Sequence, residues 1–555
     1  MLKTSRARGW GAVLMLIATG SVTSLSRADE NAITADPPVP RPHTTPCVVQ
    51  LFANMRFDNY SSKFFDYAPP SRCPGPWAKV VLQADFSVTA GRQFDRTAIM
   101  WIGGANVYFG TTQEPSATVS PSWHIERDLT DYSPLFTAPR AGRIDLFNVV
   151  NGTYTGILFG TATLQFYPRE RSEDPPVTAD VVLPLSATDT GGTVSLETSQ
   201  SLLERSFALP TNIERAYLDI VAQSQAGDEF WMLCVPDQVR VQLRSCGGTG
   251  FRETEIAIDG IPAGVAPVYP WIYTGGIDPY LWRPIPGVQT LNFVPYRVDL
   301  TPFAGLLSDG RTHSLTVRVF NANHRFEVTG AVLLYRDRGS RQVTGAVSRN
   351  TLPAAPTPVV EVDVRTVDGV TSGTVVVRSS RRFEIAGVVH TSHGTVHTRV
   401  EQNIDFSSEQ AFDNITATSF SQNLNQMTTI SSQTTVRGER DDDRATSRRL
   451  EWPLALSFAA RLRSDGINER RTIIRQEYRD RERSDDDDDF SREVSSVVTP
   501  SDTLLIRGGA VVGREGQASS HRYFSRDSDE RCYSRRITAE GGRVTGIVDG
   551  EGCDE

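Results

Sequence analysis

The sequence predicts an all-β protein: two antiparallel β-sandwich or jelly-roll domains followed by a third, β-rich C-terminal region. Three observations predict it. Between residues 47 and 337, apolar and polar side chains alternate over short runs, at 78–84, 160–167, 215–222, 253–258 and 314–320. That period of two is the strand signature, because successive side chains point to opposite faces of a sheet. The runs are punctuated by turn residues, with 43 Gly and 32 Pro in the chain, and no convincing amphipathic helix occurs before residue 168. Finally, 555 residues are too many for one core and imply about three or four domains.

Taken in order, the chain opens with Lys3, Arg6 and Arg8, an apolar run over 11–17, and Ser26-Arg27-Ala28 with small residues where a signal peptidase reads. Residues 1–28 therefore read as a secretory signal, since the run is too short to span a bilayer. A Pro-rich lead-in follows at 29–46, including Asp36-Pro-Pro-Val-Pro-Arg-Pro42. The first sandwich is expected over 47–168. Its key stretch, 93–104, places Asp95 and Arg96 at the mouth of an apolar strand closed by Gly103-Gly104. Both faces of that strand are largely apolar, so it should be central in its sheet.

A charged, Pro-containing linker at 169–176 separates the second unit, 177–337, whose Asp259-Gly260 is a hairpin turn signal. Within it, 269–286 is irregular and aromatic, with Trp271, Tyr273, Tyr280 and Trp282 around Gly275-Gly276. Such a loop is either a lid packed on the sandwich or a platform for sugars. The stretch 338–358, Pro-rich from Leu352 to Pro358, reads as a linker to the third region, 359–555, which mixes β-prone runs with long polar segments.

Composition narrows the partners. A net charge of -9 provides no basic field for nucleic acid, no stretch is apolar for long enough to span a membrane, and a monomer is expected. Six cysteines allow fifteen pairings, of which the simplest is the sequence-local one, Cys47 with Cys73, Cys234 with Cys246 and Cys532 with Cys553, and their number suits an oxidising, secreted or periplasmic location. None has CxxC spacing. Sequons stand at Asn59, Asn151 and Asn414. The clusters 441–443 and 485–489 lack EF-hand spacing and read as solvated hairpin tips. His390, His393 and His397 lack a helical zinc pattern, so neither metal nor cofactor is expected.

Chemistry is carried by acids. Asp95 at a strand lip has a counterpart in Gly227-Asp228-Glu229-Phe230-Trp231, just before Cys234. One carboxyl from each of two packed β units could divide the roles of base and acid across a cleft. With 66 Asp and Glu in the chain, that reading is weak by itself.

Ordered motifs sharpen it: Pro76-Trp-Ala-Lys-Val-Val-Leu82, Phe94-Asp-Arg96, Trp101-Ile-Gly-Gly104, Asn148-Val-Val-Asn151 with Tyr154-Thr-Gly156, Gly227 to Trp231, and Tyr273-Thr-Gly-Gly-Ile-Asp-Pro-Tyr-Leu-Trp-Arg-Pro284. By these the chain from Cys47 to about Asp337 resembles the peptide-N4-(N-acetyl-β-glucosaminyl)asparagine amidase A family, the plant and fungal peptide:N-glycanases and their bacterial relatives. The size and the signal suggest a bacterial member. A fainter likeness, through Phe94-Asp-Arg-Thr-Ala98, Leu209 to Leu218 and Asp228-Glu-Phe230, links it to the flavobacterial peptide-N-glycosidase F, a pair of eight-stranded jelly rolls.

The resemblance implies hydrolysis of the amide joining an N-glycan to Asn in glycopeptides and glycoproteins, with no metal. It makes Asp95 and Glu229 the catalytic pair. Arg96, Asp228 and Glu114 would support it, and Trp231, Trp271 and Trp282 would stack on sugars or else be core. The pattern departs at Phe94 and Phe230, where the relative has tryptophans, and at a third family glutamate with no counterpart near Phe147 and Asn148. Two rivals stand beside this reading: a glycan-binding β-sandwich without catalysis, and an endo-β-N-acetylglucosaminidase-like glycoside hydrolase.

Overall fold

The computed structural model describes residues 31–170, 176–439, 443–485 and 489–553. The leader expected over 1–28, part of the linker at 169–176 and parts of the two acidic clusters lie outside them.

Eight strands build the first unit: β1 (Cys47–Phe57), β2 (Lys63–Tyr67), β3 (Trp77–Val88), β4 (Thr97–Ile102), β5 (Ala105–Thr111), β6 (Ser122–Asp128), β7 (Arg140–Asp145) and β8 (Leu158–Pro168). They form two antiparallel sheets, in the orders β1-β8-β3-β6 and β2-β7-β4-β5, which is the jelly-roll arrangement. The alternating side chains of the two sheets meet in a core that includes Leu82, Phe86, Met100, Ile144, Leu164 and Phe166. β4 is interior, between β7 and β5, and the turn after it needs positive φ at Gly103 (+55°) and Gly104 (+80°).

The second unit repeats the plan. After β9 (Val181–Pro184) come β10 (Val194–Leu196), β11 (Leu203–Ala208), β12 (Ile213–Ser224), β13 (Glu253–Ile258), β14 (Ile261–Pro267), β15 (Tyr296–Asp299), β16 (Thr312–Phe320) and β17 (Phe326–Arg336). Their orders, β10-β17-β12-β15 and β11-β16-β13-β14, are the first unit's orders with each strand advanced by nine, while β9 adds to β17. Both rolls therefore present the same set of loops at the same end. The rolls are joined through the edge of β5, where the N–H of Thr111 donates to Thr290 O (2.9 Å) and that of Phe293 to Phe109 O (2.7 Å).

The third region is one antiparallel sheet of 11 strands, successive hairpins whose longest strands, Val370–Thr391 and Gly394–Ile415, have 22 residues each. Its first strand, Thr344–Asn350, lies inside the stretch read as a linker and pairs with Val370–Thr391. One face shares a core with the second roll, through Val375, Phe406, Leu424, Leu454 and Ile474. On the other face charges pair with one another, as in the run Arg475, Glu477 and Arg479. The long polar segments of the sequence are thus strands with a single buried face. All three disulfides follow the sequence-local pairing, and no helix among the described residues is long and apolar enough to cross a membrane.

Candidate active site

Asp95 lies in the loop 89–96 that leads from β3 into β4. Its N–H donates to Glu114 Oε1 (3.2 Å), while the hairpin β4–β5 is prolonged by bonds between Arg96 N–H and Thr112 Oγ1 and between Thr112 N–H and Arg96 O, both 2.9 Å. Two acids are thereby placed side by side at the end of one hairpin. Arg283, from the aromatic loop of the second roll, donates to Glu114 Oε2 (2.9 Å). Gly275, from the same loop, has its N–H near enough to Asp95 to favour the ionised carboxylate. A Cβ on Gly275 would stand 2.3 Å from Asp95 Oδ1 and 2.7 Å from Glu114 Oε1, so only glycine permits this approach.

Glu229 comes from the loop 225–252 between β12 and β13. It caps a short 3-10 turn, Ala226–Asp228, donating its N–H to Ala226 O (3.2 Å). The preceding residue explains the shape of the loop. Asp228 is wholly buried and accepts from Arg252 Nη2 (2.8 Å) and from the N–H groups of Asn323 (3.0 Å), His324 (2.7 Å) and Arg325 (2.9 Å). With its acceptor positions filled in this way, Asp228 anchors the loop and does not join the cleft. Tyr273, buried below, donates to Ser224 O (2.6 Å) and stands near enough to Glu229 and Asp95 for both charges to raise its pKa, although burial is the larger cause.

The three remaining acids interact. Burial pushes Glu229 up to about 8, with the charge of Asp95 adding to the shift. Glu114 is raised to about 7, again first by burial, with Arg283 opposing and Asp95 reinforcing. Asp95 is raised by burial, against the Gly275 N–H and the positive charge of Arg96. Like charges this close cannot all ionise together at neutral pH. Asp95 and Glu114 each have an N–H and a guanidinium favouring the carboxylate, whereas Glu229 has no such partner among the described residues and is the acid that most favours its proton. Arg96 itself is tethered to Gln93 Oε1 (2.7 Å), and its Nε makes no hydrogen bond among the described residues.

Asp95, Arg96, Glu114 and Glu229 are thus brought together, and Asp228 is not. The three tryptophans are corrected more sharply: Trp231 (1% exposed), Trp271 (6%) and Trp282 (0%) are core. Trp271 packs on Phe293 at 4.4 Å between ring centroids, and Trp282 Nε1 donates to Gly276 O (2.9 Å). The aromatic segment is irregular because it is wedged between β5 and the large sheet, where every ring finds a packing partner. Exposed rings lie elsewhere on the rim. Phe94 meets Tyr154 (5.3 Å), and Tyr60 stacks on Phe147 (6.1 Å). The sequence reading also missed Gly275, Arg283 and Tyr273 as members of the site, although the double glycine amid aromatics was a signal for the first.

Of the histidine triplet only His393 joins a group of potential ligands, with Glu214 and Asp337 at the seam of the second roll and the large sheet. That group lies apart from the acids described above.

A family model described as peptide N-acetyl-beta-D-glucosaminyl asparaginase amidase A matches residues 37–351. The peptide-N4-(N-acetyl-beta-glucosaminyl)asparagine amidase A of Prunus dulcis is 29% identical over 390 residues, covering 67% of each chain. Among solved structures, PNGase F, a glycosylasparaginase from Flavobacterium meningosepticum, aligns with 14% identity over 53% of this chain and 96% of its own, with a TM-score of 0.36. PNGF-II aligns with 13% identity over 52% and 66%, with a TM-score of 0.35.

Proposed function

This chain belongs to the peptide N-acetyl-beta-D-glucosaminyl asparaginase amidase A family, and from that premise we propose that it is a peptide:N-glycanase whose acid–base pair is Asp95 and Glu229. Its substrate is the amide between the first N-acetylglucosamine of an N-glycan and Asn. One observation carries the assignment of roles: two carboxyls from different rolls, electrostatically in contact and both raised by burial, of which Asp95 alone has a backbone N–H and a guanidinium that oppose the rise.

Amide hydrolysis needs an activated water, a stabilised oxyanion and a proton for the departing nitrogen. Asp95, ionised, takes a proton from water as its oxygen bonds to the Asn side-chain carbon. Arg96, next to Asp95 and with a buried Nε that has no hydrogen-bond partner among the described residues, offers positive charge to the oxyanion. Glu229, protonated up to about pH 8, gives its proton to the nitrogen as the C–N bond breaks. The products are aspartate in the peptide and a glycosylamine, which loses ammonia in water to leave the free glycan. Glu114, held by Arg283, keeps Asp95 aligned. Phe94 and Tyr154 offer aromatic faces to the sugar. The three disulfides suit an oxidising compartment, which agrees with secretion.

Mass spectrometry of a glycopeptide treated in H2(18)O tests this reading. Conversion of the glycosylated Asn to (18)O-labelled Asp is expected. A residual N-acetylglucosamine on Asn would make the protein an endoglycosidase, and an intact glycopeptide would make it a binding protein.

A further inference from the structure

The family match ends at residue 351, and the large sheet beyond it has no role in the chemistry described so far. Its inner face is mostly apolar, which makes a few fully buried amides on that face the informative exceptions. Gln476 (0% exposed) accepts from the N–H of Val288 (2.9 Å) and donates to Pro270 O (2.8 Å). It thus ties together the two ends of the aromatic loop. Gln517 (8% exposed) donates to Tyr280 O (2.5 Å) and Arg283 O (3.1 Å) at the loop's far turn. This is the loop that brings the Gly275 N–H to Asp95 and the Arg283 guanidinium to Glu114.

The other acid has its own pair. Gln410 (0% exposed) donates to Cys234 O (2.9 Å), and Gln422 (5% exposed) donates to Gln410 Oε1 (2.8 Å). They grip the turn that follows Glu229. Irregular buried backbone must find hydrogen-bond partners outside itself, and each of these glutamines answers carbonyls or amides of a loop that carries a catalytic group. Gln426 is the counterexample. It is equally buried (3% exposed) on the same face, yet neither end of its amide has a hydrogen-bond partner among the described residues.

We propose that the C-terminal sheet is a template for the active site: Gln410 and Gln422 set the register of the loop delivering Glu229, and Gln476 and Gln517 that of the loop delivering Gly275 and Arg283. They are positioning residues, since none touches the acids themselves. The proposal rests on the amidase reading for its kinetic consequence but not for its structural one.

The experiment compares full-length wild type with Gln410→Met, Gln476→Met, Gln517→Met and Gln426→Met, by hydrogen exchange and by glycopeptide kinetics. Loss of the donor leaves loop carbonyls unpaired. Exchange should therefore rise about tenfold or more over 229–235 in Gln410→Met, and over 270–288 in the Gln476 and Gln517 variants, with strands of the first roll unchanged. In these three, kcat should fall about tenfold or more with KM within about twofold, because misplacement of catalytic groups costs rate more than binding. Gln426→Met should match wild type in both. Should Gln476→Met not fold, Gln517→Met tests the same loop from its far turn. Variants that all behave like Gln426→Met, or exchange that rises evenly over the whole chain, overturn the proposal. A wild-type chain that leaves glycopeptides intact refutes the amidase reading, and the exchange pattern then decides the positioning role alone.

Discussion

The two rolls have one strand order and contribute matching loops to the site, but they hold those loops differently. In the first, the connection between the third and fourth strands, residues 89–96, carries Asp95, and the connection after the fifth carries Glu114. In the second, the equivalent connections, 225–252 and 268–295, carry Glu229 and the pair Gly275 and Arg283. The loop of Asp95 is short enough for backbone bonds to the neighbouring hairpin to fix it. The loop of Glu229 is long and is fixed by a disulfide, by the buried pair Asp228–Arg252 and by a separate sheet. Equivalent topology supplies equivalent places. The length of each loop decides how much of the rest of the chain is needed to hold it.

If the short loop carries the base, Asp95→Asn should cost the most: kcat down by about a hundredfold to ten-thousandfold with glycopeptide affinity retained, measured by steady-state kinetics and calorimetry. More than about a tenth of wild-type kcat in a folded Asp95→Asn enzyme would shift the base to Glu114. Removal of the acid should cost somewhat less, since Glu229→Gln keeps a polar group at the leaving nitrogen; about a hundredfold is expected. A pH profile discriminates further. If Glu229 is the acid, it must be protonated to act, and since burial raises it to about 8, wild-type kcat should fall as pH rises through that region, and the Gln variant should lose that limb.

The contrast in anchoring predicts an intermediate effect. Replacing Cys234 and Cys246 with Ser releases a closed loop worth roughly 3 kcal/mol in the chain-entropy model. It should lower Tm, and should lower activity more than the same change at Cys47 and Cys73, which lie away from both acids.

A smaller effect comes from the acids that burial leaves protonated. Glu229 (about 8), with Glu114, Glu253 and Asp278 (each about 7), has a folded-state pKa raised above its unfolded value. The folded state therefore binds more protons. The stability these groups contribute is complete below the unfolded values near 4 and is lost as pH rises through 7 to 8. Tm measured by calorimetry should decline from pH 5 to pH 8. The smallest effect, none at all, is expected from EDTA, because the cleft acids are partnered by Arg283, by backbone N–H groups and by one another. Activity lost to chelation and restored by a divalent ion would mean that Glu214, Asp337 and His393, or another cluster, reaches the site after all.

The sequence by itself determined the β class, favoured the cysteine pairing that the structure has and, through its motifs, singled out Asp95 and Glu229 as the proposed pair. Each of these is local: alternation needs only neighbours, the disulfides close short loops, and Phe94-Asp-Arg96 or Gly227 to Trp231 are contiguous. The interior position of β4 was legible for the same reason, since apolar side chains on both faces leave it nowhere else to go. Only the tertiary structure decided that Trp231, Trp271 and Trp282 are core, because a ring looks the same in a sequence whether solvent or a second sheet faces it. It also decided that Asp228 anchors while its neighbour Glu229 faces the cleft, and that Gly275 and Arg283 complete the site of a different roll. Those facts depend on which loops two jelly rolls bring to one end and on where the large sheet closes over them. Such contacts span up to hundreds of residues, as between Gln517 and Tyr280, and no periodicity encodes them.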